Sequence, residues 1–221
     1  MTILMSFELY ISILIALIVI AIIISSLHFH LVTKKDFKQK LQSDITTEQM
    51  LESEKRIEAF YHEKNLHPGC ALDRIADALL VKMGHIDHAL INDQAHISKP
   101  GPDGYRVVDF KSGLNEAEKR FAYAHECAHV LNNDDIPATR PDGHNKPPCE
   151  QIADYTAAAF LMPYDDVLNM LNKYNYTSSS KNQRIRILRL LCKQYNVSEM
   201  VAIRRVLEVE QLNRTQQDRD N

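Results

Sequence analysis

The chain has 221 residues, a formal net charge of −3 and 25% charged residues. It lacks an excess of basic residues, so its composition gives no indication of direct binding to nucleic acid. Its four cysteines show no C-x-x-C pairing: Cys70, Cys127, Cys149 and Cys192. In a reducing compartment we expect them to be free thiols rather than a disulfide framework.

The N-terminal part of the chain contains a long uncharged run. Residues 9–27 hold no charged side chain and are mostly Ile, Leu, Val and Ala, and about 20 such residues span a bilayer core. The alternative is a cleaved signal peptide, but residues 1–8 contain no Lys or Arg and no small-residue cleavage site follows the run. Four lysines lie between residues 34 and 40, behind the run. The preference of basic loops for the inner side of a membrane then predicts an outside N-terminus and a cytoplasmic C-terminal domain.

The next part of the chain is predicted to contain a linker, two helices and a small sheet. Residues 28–46 are polar and rich in lysine. One helix is predicted from Thr47 to Lys64, and a second has apolar positions with a helical period from Leu72 to Met83 and ends at Gly84. Three short extended segments then predict the sheet: residues 89–91, 95–97 and 105–110.

Residues 125–129 read His-Glu-Cys-Ala-His, which is the motif H-E-x-x-H. On a helix, His125 and His129 lie on one face and can hold one metal ion between them. Glu126 reaches the edge of the same face, where it can take a proton from a metal-bound water. The motif therefore indicates metal-assisted hydrolysis, most often of a peptide bond.

The helix that carries this motif is predicted to be buried. Asn115 can cap its N-terminus with Glu118 in the capping-box position, and Asn132 lies near its end. The alternative is a pair of solvated histidines on an exposed helix. The apolar residues on both sides of the motif disfavour that alternative, because buried histidines and glutamates are costly unless they have partners.

A second, Ala-rich helix is predicted over residues 150–163. Glu150 and Asp154 share one face of it, so Glu150 is the best candidate for a third metal ligand. Asp154 can then accept the outer N–H of a ligand histidine and fix its orientation. The alternative is that Glu150 is only a first-turn carboxylate, which the helix dipole favours.

The remaining features give weaker predictions. Residues 132–148 form a loop that we expect to border the cleft, and further helices are predicted at 165–173 and 181–195. The segment 195–205 is similar to a helix-turn-helix, for which a packing or docking role is favoured over DNA reading. Tyr155 and Arg204 are candidates to stabilise an oxyanion, and three histidines are interpreted as surface residues rather than a second metal site: His85, His88 and His96.

Taken together, these motifs resemble the ImmA/IrrE family of metallo-endopeptidases. The resemblance rests on H-E-x-x-H with its lead-in from Arg120, on E-x-x-A-D from Glu150 with the Leu-Met-Pro ending, and on residues 191–207. It covers roughly residues 50–208. It implies zinc, with manganese as an alternative, bound by His125, His129 and Glu150, with Glu126 as general base. It also implies a cytosolic protease with few substrates, typically helix-turn-helix repressors.

The sequence thus predicts an α+β, mainly helical fold, a zincin-like metallopeptidase domain with a small β-sheet that follows one transmembrane helix. The predicted parts are an outer N-terminus (1–8), the transmembrane helix (9–27), the linker (28–46), the metallopeptidase domain (47–210) and a polar tail (211–221). The predicted function is that of a zinc endopeptidase anchored in the cell membrane, which cleaves a repressor or similar regulatory protein in the cytoplasm. The alternative is a non-hydrolytic metal-binding scaffold or regulator that binds a partner protein. Glu126 disfavours that alternative, because a scaffold has no use for a base beside the metal.

Overall fold

The structure is a computed structural model that describes residues 45–90, 93–134 and 147–220. Contacts within the chain divide it into two units, Met1–Gln42 and Ser43–Asn221. All the described residues belong to the second unit, which contains seven α-helices, one 3-10 turn and three strands in its described part. In chain order these are α1 (Thr47–Glu63), α2 (Leu72–Ala78), β1 (Val81–Asp87), β2 (Ala95–Ile97), β3 (Arg106–Lys111), α3 (Glu116–Asn132), α4 (Pro148–Leu161), α5 (Tyr164–Lys173), the 3-10 turn (Tyr176–Ser178), α6 (Lys181–Tyr195) and α7 (Glu199–Asp220).

The predictions of a fold with a transmembrane helix and of a single-pass location at the cell membrane require correction. Within the described part of the chain, no helix combines the length and the apolar character needed to cross a membrane. Residues 9–27, where the span was predicted, lie outside the described residues. The fold class is therefore corrected to mainly helical α+β with a small three-stranded sheet.

Three helices start at a capping box, and the sequence analysis predicted the one at Asn115. In each box the N-cap side chain accepts the N–H of the third helical residue, whose own side chain accepts the N–H of the cap. The pairs are Thr46 with Gln49 for α1, Asn115 with Glu118 for α3, and Ser180 with Gln183 for α6. Helix α3 is capped at its C-terminus by Asn133 in the left-handed conformation, which asparagine adopts more readily than most residues. The predicted bounds of these three helices are confirmed to within one residue.

The sheet is small, with the strand order β1-β3-β2. Strand β3 pairs in parallel with β1 and antiparallel with β2. The prediction of a continuous helix from Leu72 to Met83 is wrong: α2 ends at Ala78, and the chain enters β1 at Val81. Leu80 turns the chain with a left-handed φ of 56°. A short apolar run fits helical and extended periods alike, and pairing with β3 selects the strand.

Gly84 lies at an irregularity in β1 rather than at a helix end. The register with β3 shifts between Met83 and Ile86, and the backbone N–H of His85 donates to Asp109 Oδ1 at 2.8 Å. A Cβ on Gly84 would lie 2.2 Å from that same oxygen. The position must therefore be glycine for the Asp109 side chain to reach the strand.

Helices α3 and α4 pack against each other in the core. Their buried residues include Ala124 and Ala128 on α3 and Ala153 and Ala157 on α4. Small side chains allow two helices to approach closely. Polar groups on the facing turns of α3 and α4 are consequently brought together, which positions the candidate site.

Helix α7 is longer than expected. It continues to Asp220, through most of the segment predicted as a polar tail. Its core-facing residues include Ala202, Val206, Val209 and Leu212, all buried. Their spacing of three to four residues is that of one helix face, so packing carries the helix well past Leu207.

Candidate metal centre

The two packed helices bring the predicted site residues together. Helix α3 supplies His125, Glu126 and His129, and α4 supplies Glu150 and Asp154. All five are buried, with 3–5% of their surface exposed. Five polar side chains in one buried cluster are stable only if they bind one another or a ligand.

The inner atoms of the cluster converge on one point. His125 Nε2 and His129 Nε2 are 3.1 Å apart. The Oε2 atom of Glu150 lies 3.3 Å from His125 Nε2, and its Oε1 atom lies 3.4 Å from His129 Nε2. Ligand atoms about 2.0–2.1 Å from a tetrahedral zinc ion lie about 3.3 Å from one another. The two histidines and Glu150 therefore fit a zinc ion.

The outer nitrogens of both histidines face carboxylates. His125 Nδ1 donates to Asp154 Oδ1 at 2.9 Å, and His129 Nδ1 donates to Asp134 Oδ2 at 2.9 Å. A hydrogen on Nδ1 leaves the Nε2 lone pair free to bind a metal. When the imidazoles are neutral, the two carboxylates therefore select the tautomer and the orientation that a metal ligand requires.

The sequence did not predict a role for Asp134. It lies beyond the end of α3, in a segment expected only to border the cleft. The left-handed Asn133 turns the chain back, and the Asp134 N–H bonds to the His129 carbonyl at 3.1 Å. An acidic residue just after an asparagine cap, five positions from a candidate ligand, is the signal that could have identified it.

The electrostatics of the cluster favour a positive charge. Burial is the largest single influence on the pKa of His125 and lowers it, but the hydrogen bonds with Asp154 and Glu150, together with the charges of Asp154 and Glu126, raise that pKa to about 9. The carboxylates therefore draw a proton to the imidazole. A metal cation can satisfy the same carboxylates in place of that proton.

A cavity of about 590 Å³ opens beside the cluster. Its polar lining includes His125, Glu126, Asp154 and Arg204, and its apolar lining includes Phe121, Ala122, Ala158, Met200 and Val201. It also touches Ala95 of strand β2 and Gln94, the residue that precedes this strand. The dimensions suit a short stretch of peptide beside the metal ligands. Residues 135–146, most of the loop predicted to border the cleft, lie outside the described residues.

The two candidates for oxyanion stabilisation occupy different places. Tyr155 is fully buried and its hydroxyl donates to Glu54 Oε1 at 2.6 Å, and it is not among the residues that line the cavity. Arg204 does line the cavity, where its Nη1 donates to Asp154 Oδ2 at 3.2 Å. Of the two, only Arg204 is placed at the candidate site.

The other candidate histidines and the four cysteines do not belong to the group with metal-ligating geometry. Three of the histidines are exposed: His85, His88 and His96. Among the described residues, His125, His129 and Glu150 form the one group of three with metal-ligating geometry. All four cysteines are free, and burial raises the pKa of the Cys127 thiol well above its usual range. Cys127 is therefore a core residue rather than a nucleophile.

A helical α+β fold with a buried His-His-carboxylate cluster beside an open cleft defines a metallopeptidase-like domain. The model of the IrrE N-terminal-like domain (Peptidase_M78) matches residues 86–207, which is more than half of the chain. The chain belongs to this family, and the resemblance found in the sequence is confirmed. Membership of a peptidase family implies a metal, commonly zinc.

More distant comparisons add little. One solved structure that matches is a Mycobacterium tuberculosis transcriptional regulator, with 16% sequence identity and a TM-score of 0.45. The match covers 77% of this chain and 50% of that one, so the chain spans about half the length of that regulator. At this level of similarity the match carries no argument about function. No curated protein matches the chain.

Proposed function

We propose that this protein is a zinc-dependent endopeptidase of narrow specificity, whose activity resides in the domain predicted over residues 47–210. One observation carries the proposal: two imidazole Nε2 atoms and the Glu150 carboxylate lie 3.1–3.4 Å from one another, next to Glu126 and an open cleft. His125, His129 and Glu150 are the proposed zinc ligands. Membership of a peptidase family supports the same assignment.

The residues of the site have distinct roles in this proposal. A zinc ion held by His125, His129 and Glu150 would polarise the scissile carbonyl and would lower the pKa of a water to about 7. Glu126, as general base, accepts the proton of the attacking water on its carboxylate and later donates it to the leaving amine. Asp154 and Asp134 keep the two imidazoles in the tautomer that presents Nε2 to the metal.

A protein substrate fits the cleft better than a small molecule does. The cavity has an apolar wall and touches strand β2, which lies at an edge of the sheet. An edge strand offers unpaired backbone groups that can bind an extended chain. We propose that the substrate is a helix-turn-helix repressor or a similar regulatory protein, as the family resemblance implies.

The base can be tested with Glu126→Gln. Glutamine preserves shape and hydrogen bonding but cannot take up the proton, so zinc should remain while hydrolysis falls by at least ~10²-fold. The measurements are zinc content and cleavage of purified helix-turn-helix repressors, starting with any that is encoded beside this gene.

Glu116→Gln is the matched control, because Glu116 lies on the same helix but is exposed and outside the cleft. We expect it to retain wild-type cleavage. Undiminished cleavage by Glu126→Gln would refute the assigned base. Stoichiometric zinc without cleavage of any protein by the wild type would favour the non-hydrolytic scaffold.

A further inference from the structure

Arg204 of helix α7 bridges two buried carboxylates. Its Nη1 donates to Asp154 Oδ2 at 3.2 Å, and its Nε donates to Glu208 Oε1 at 3.1 Å. Asp154 and Glu208 have 5% and 1% of their surface exposed. Charge-assisted hydrogen bonds between buried groups are strong and directional, so the guanidinium is held in one orientation.

The bridge connects α7 with the metal cluster. The two oxygens of Asp154 have different partners, because Oδ1 accepts from His125 Nδ1 at 2.9 Å and Oδ2 accepts from Arg204. A continuous chain of contacts therefore runs from Glu208 through Arg204 and Asp154 to His125. Helix α7 supplies none of the three proposed zinc ligands, yet it touches the group that orients one of them.

The anchorage of α7 makes this contact a rigid one. Arg205, the next residue, is fully buried. Its Nη2 donates to Glu54 Oε1 at 2.8 Å and its Nε donates to the Met162 carbonyl at 2.9 Å. These bonds tie α7 to α1 and to the end of α4. Arg204 consequently approaches Asp154 from a fixed backbone position.

We propose that Arg204 is a positioning residue for the metal site, an inference that rests on the proposed function above. By holding Oδ2, Arg204 fixes the rotation of the Asp154 carboxylate, a torsion that is otherwise soft. Oδ1 is then kept in line with His125 Nδ1, and His125 Nε2 is kept facing the zinc. The required feature is the two-pronged geometry of the guanidinium, which lysine cannot reproduce.

The experiment compares variants of the full-length protein in a Glu208→Gln background. This background avoids a buried, unpaired Glu208 carboxylate when Arg204 is replaced. Arg204→Met/Glu208→Gln replaces the aliphatic part of the arginine side chain with an unbranched apolar one and removes the bridge. Arg204→Lys/Glu208→Gln keeps a positive charge at position 204 but lacks the two-pronged geometry of the guanidinium. Zinc affinity is measured by competition with a chelator, the visible spectrum is recorded with cobalt in place of zinc, and metal-free thermal unfolding reports the fold.

We expect Arg204→Met/Glu208→Gln to bind zinc about 10-fold or more weakly than Glu208→Gln does. This is the range seen when groups that orient metal ligands are lost. The lysine variant should be intermediate, and the cobalt spectrum should shift in both. A purely structural role would change the unfolding temperature and leave affinity and spectrum as they are in Glu208→Gln, and that outcome overturns the inference.

Three further outcomes are decisive. If the methionine variant does not fold, the lysine variant decides, and an affinity equal to that of Glu208→Gln overturns the inference. If the wild type binds zinc but the affinities of the variants are equal, the inference fails and the proposed zinc site stands. If the wild type binds no zinc, both fail together.

Discussion

At the scale of single residues, Glu150 is the side chain of helix α4 that joins the two histidines in the candidate metal centre. A carboxylate in the first turn of a helix is favoured by the helix dipole alone, and this was the alternative interpretation of Glu150. Its position 3.3 Å and 3.4 Å from the two imidazole Nε2 atoms, with 4% exposure, argues for a ligand role. An acidic residue that merely caps a helix has no reason to be buried between histidines.

Glu150→Gln distinguishes the two interpretations. The neutral amide is a poor zinc ligand, so the purified variant should lose stoichiometric zinc while its circular dichroism spectrum stays that of the wild type. Glu48→Gln is the matched control, since Glu48 is an exposed first-turn carboxylate of α1, and it should keep zinc. Full zinc occupancy in Glu150→Gln would move the third ligand elsewhere, with Asp154 the next candidate.

The residues that orient the two histidines show which contacts can be predicted from a sequence and which cannot. Asp154 was predicted because it lies one helical turn from Glu150 on the same helix. Asp134 was not, because its place beside His129 depends on the turn at Asn133 and not on a helical period. Arg204 was singled out for a different role, and its contact with Asp154 joins residues that are 50 positions apart. Spacing along a helix is visible in a sequence, whereas such long-range contacts are not.

At the scale of secondary-structure elements, strand β1 illustrates the same limit. Its sequence was interpreted as a helix that ends at Gly84. In the structure, β1 pairs with β3, and Gly84 makes room for the Asp109 side chain. The choice between helix and strand was made by a partner strand that lies more than 20 residues downstream.

Gly84→Ala should destabilise the domain. The added Cβ would lie 2.2 Å from Asp109 Oδ1 and 2.5 Å from Val107 Cγ1. We expect the free energy of unfolding to fall by about 1–3 kcal/mol, the range for overpacked positions, as measured by urea denaturation. His85, the exposed neighbour, serves as the control. His85→Ala should change the free energy of unfolding by less than about 0.5 kcal/mol. Equal stabilities of Gly84→Ala and wild type would show that the strand relaxes around the methyl group.

At the scale of the whole molecule, buried charges connect helices from both ends of the domain. Arg205 of α7 binds Glu54 of α1, and its guanidinium lies over the Tyr155 ring of α4 with its centre 5.1 Å from the ring centroid. Glu208 is also buried in this region, next to Arg204. Burial raises the pKa of Glu208 to about 7, even though Arg204 and Arg205 act to lower it.

The buried Glu208 makes stability depend on pH. Its pKa is about 7 in the folded state and about 4.5 when unfolded, so between these values the folded state binds more protons. This contribution to stability is greatest below pH 4.5 and is lost as the pH rises through about 7. Glu208→Gln removes the dependence. From pH 5 to 8, the stability of the metal-free variant should therefore rise relative to wild type by about 1–3 kcal/mol.

Urea denaturation at both pH values, in the presence of a chelator, measures this difference. Glu199→Gln is the control, since Glu199 is exposed and lies on the same helix. Its free energy of unfolding should equal that of the wild type at both pH values. A parallel pH dependence of Glu208→Gln and wild type would show that Glu208 remains ionised in the folded protein, held by Arg204 and Arg205.

The sequence by itself determined the features that depend on neighbours in the chain. These are the capping box at Asn115, the two core helices, the pair of histidines on one face and the carboxylate that follows at Glu150. They were accessible because helical periodicity and capping are local. The family is identifiable for the same reason, since its motifs lie on these helices.

Only the tertiary structure decided the rest. It showed that α3 and α4 pack so that Glu150 reaches both histidines, that Asp134 and Arg204 join the site, and that β1 is a strand. It also placed Tyr155 away from the cleft. Each of these outcomes depends on groups far apart in the chain, whose approach is determined by the packing of the core and by the pairing of buried charges.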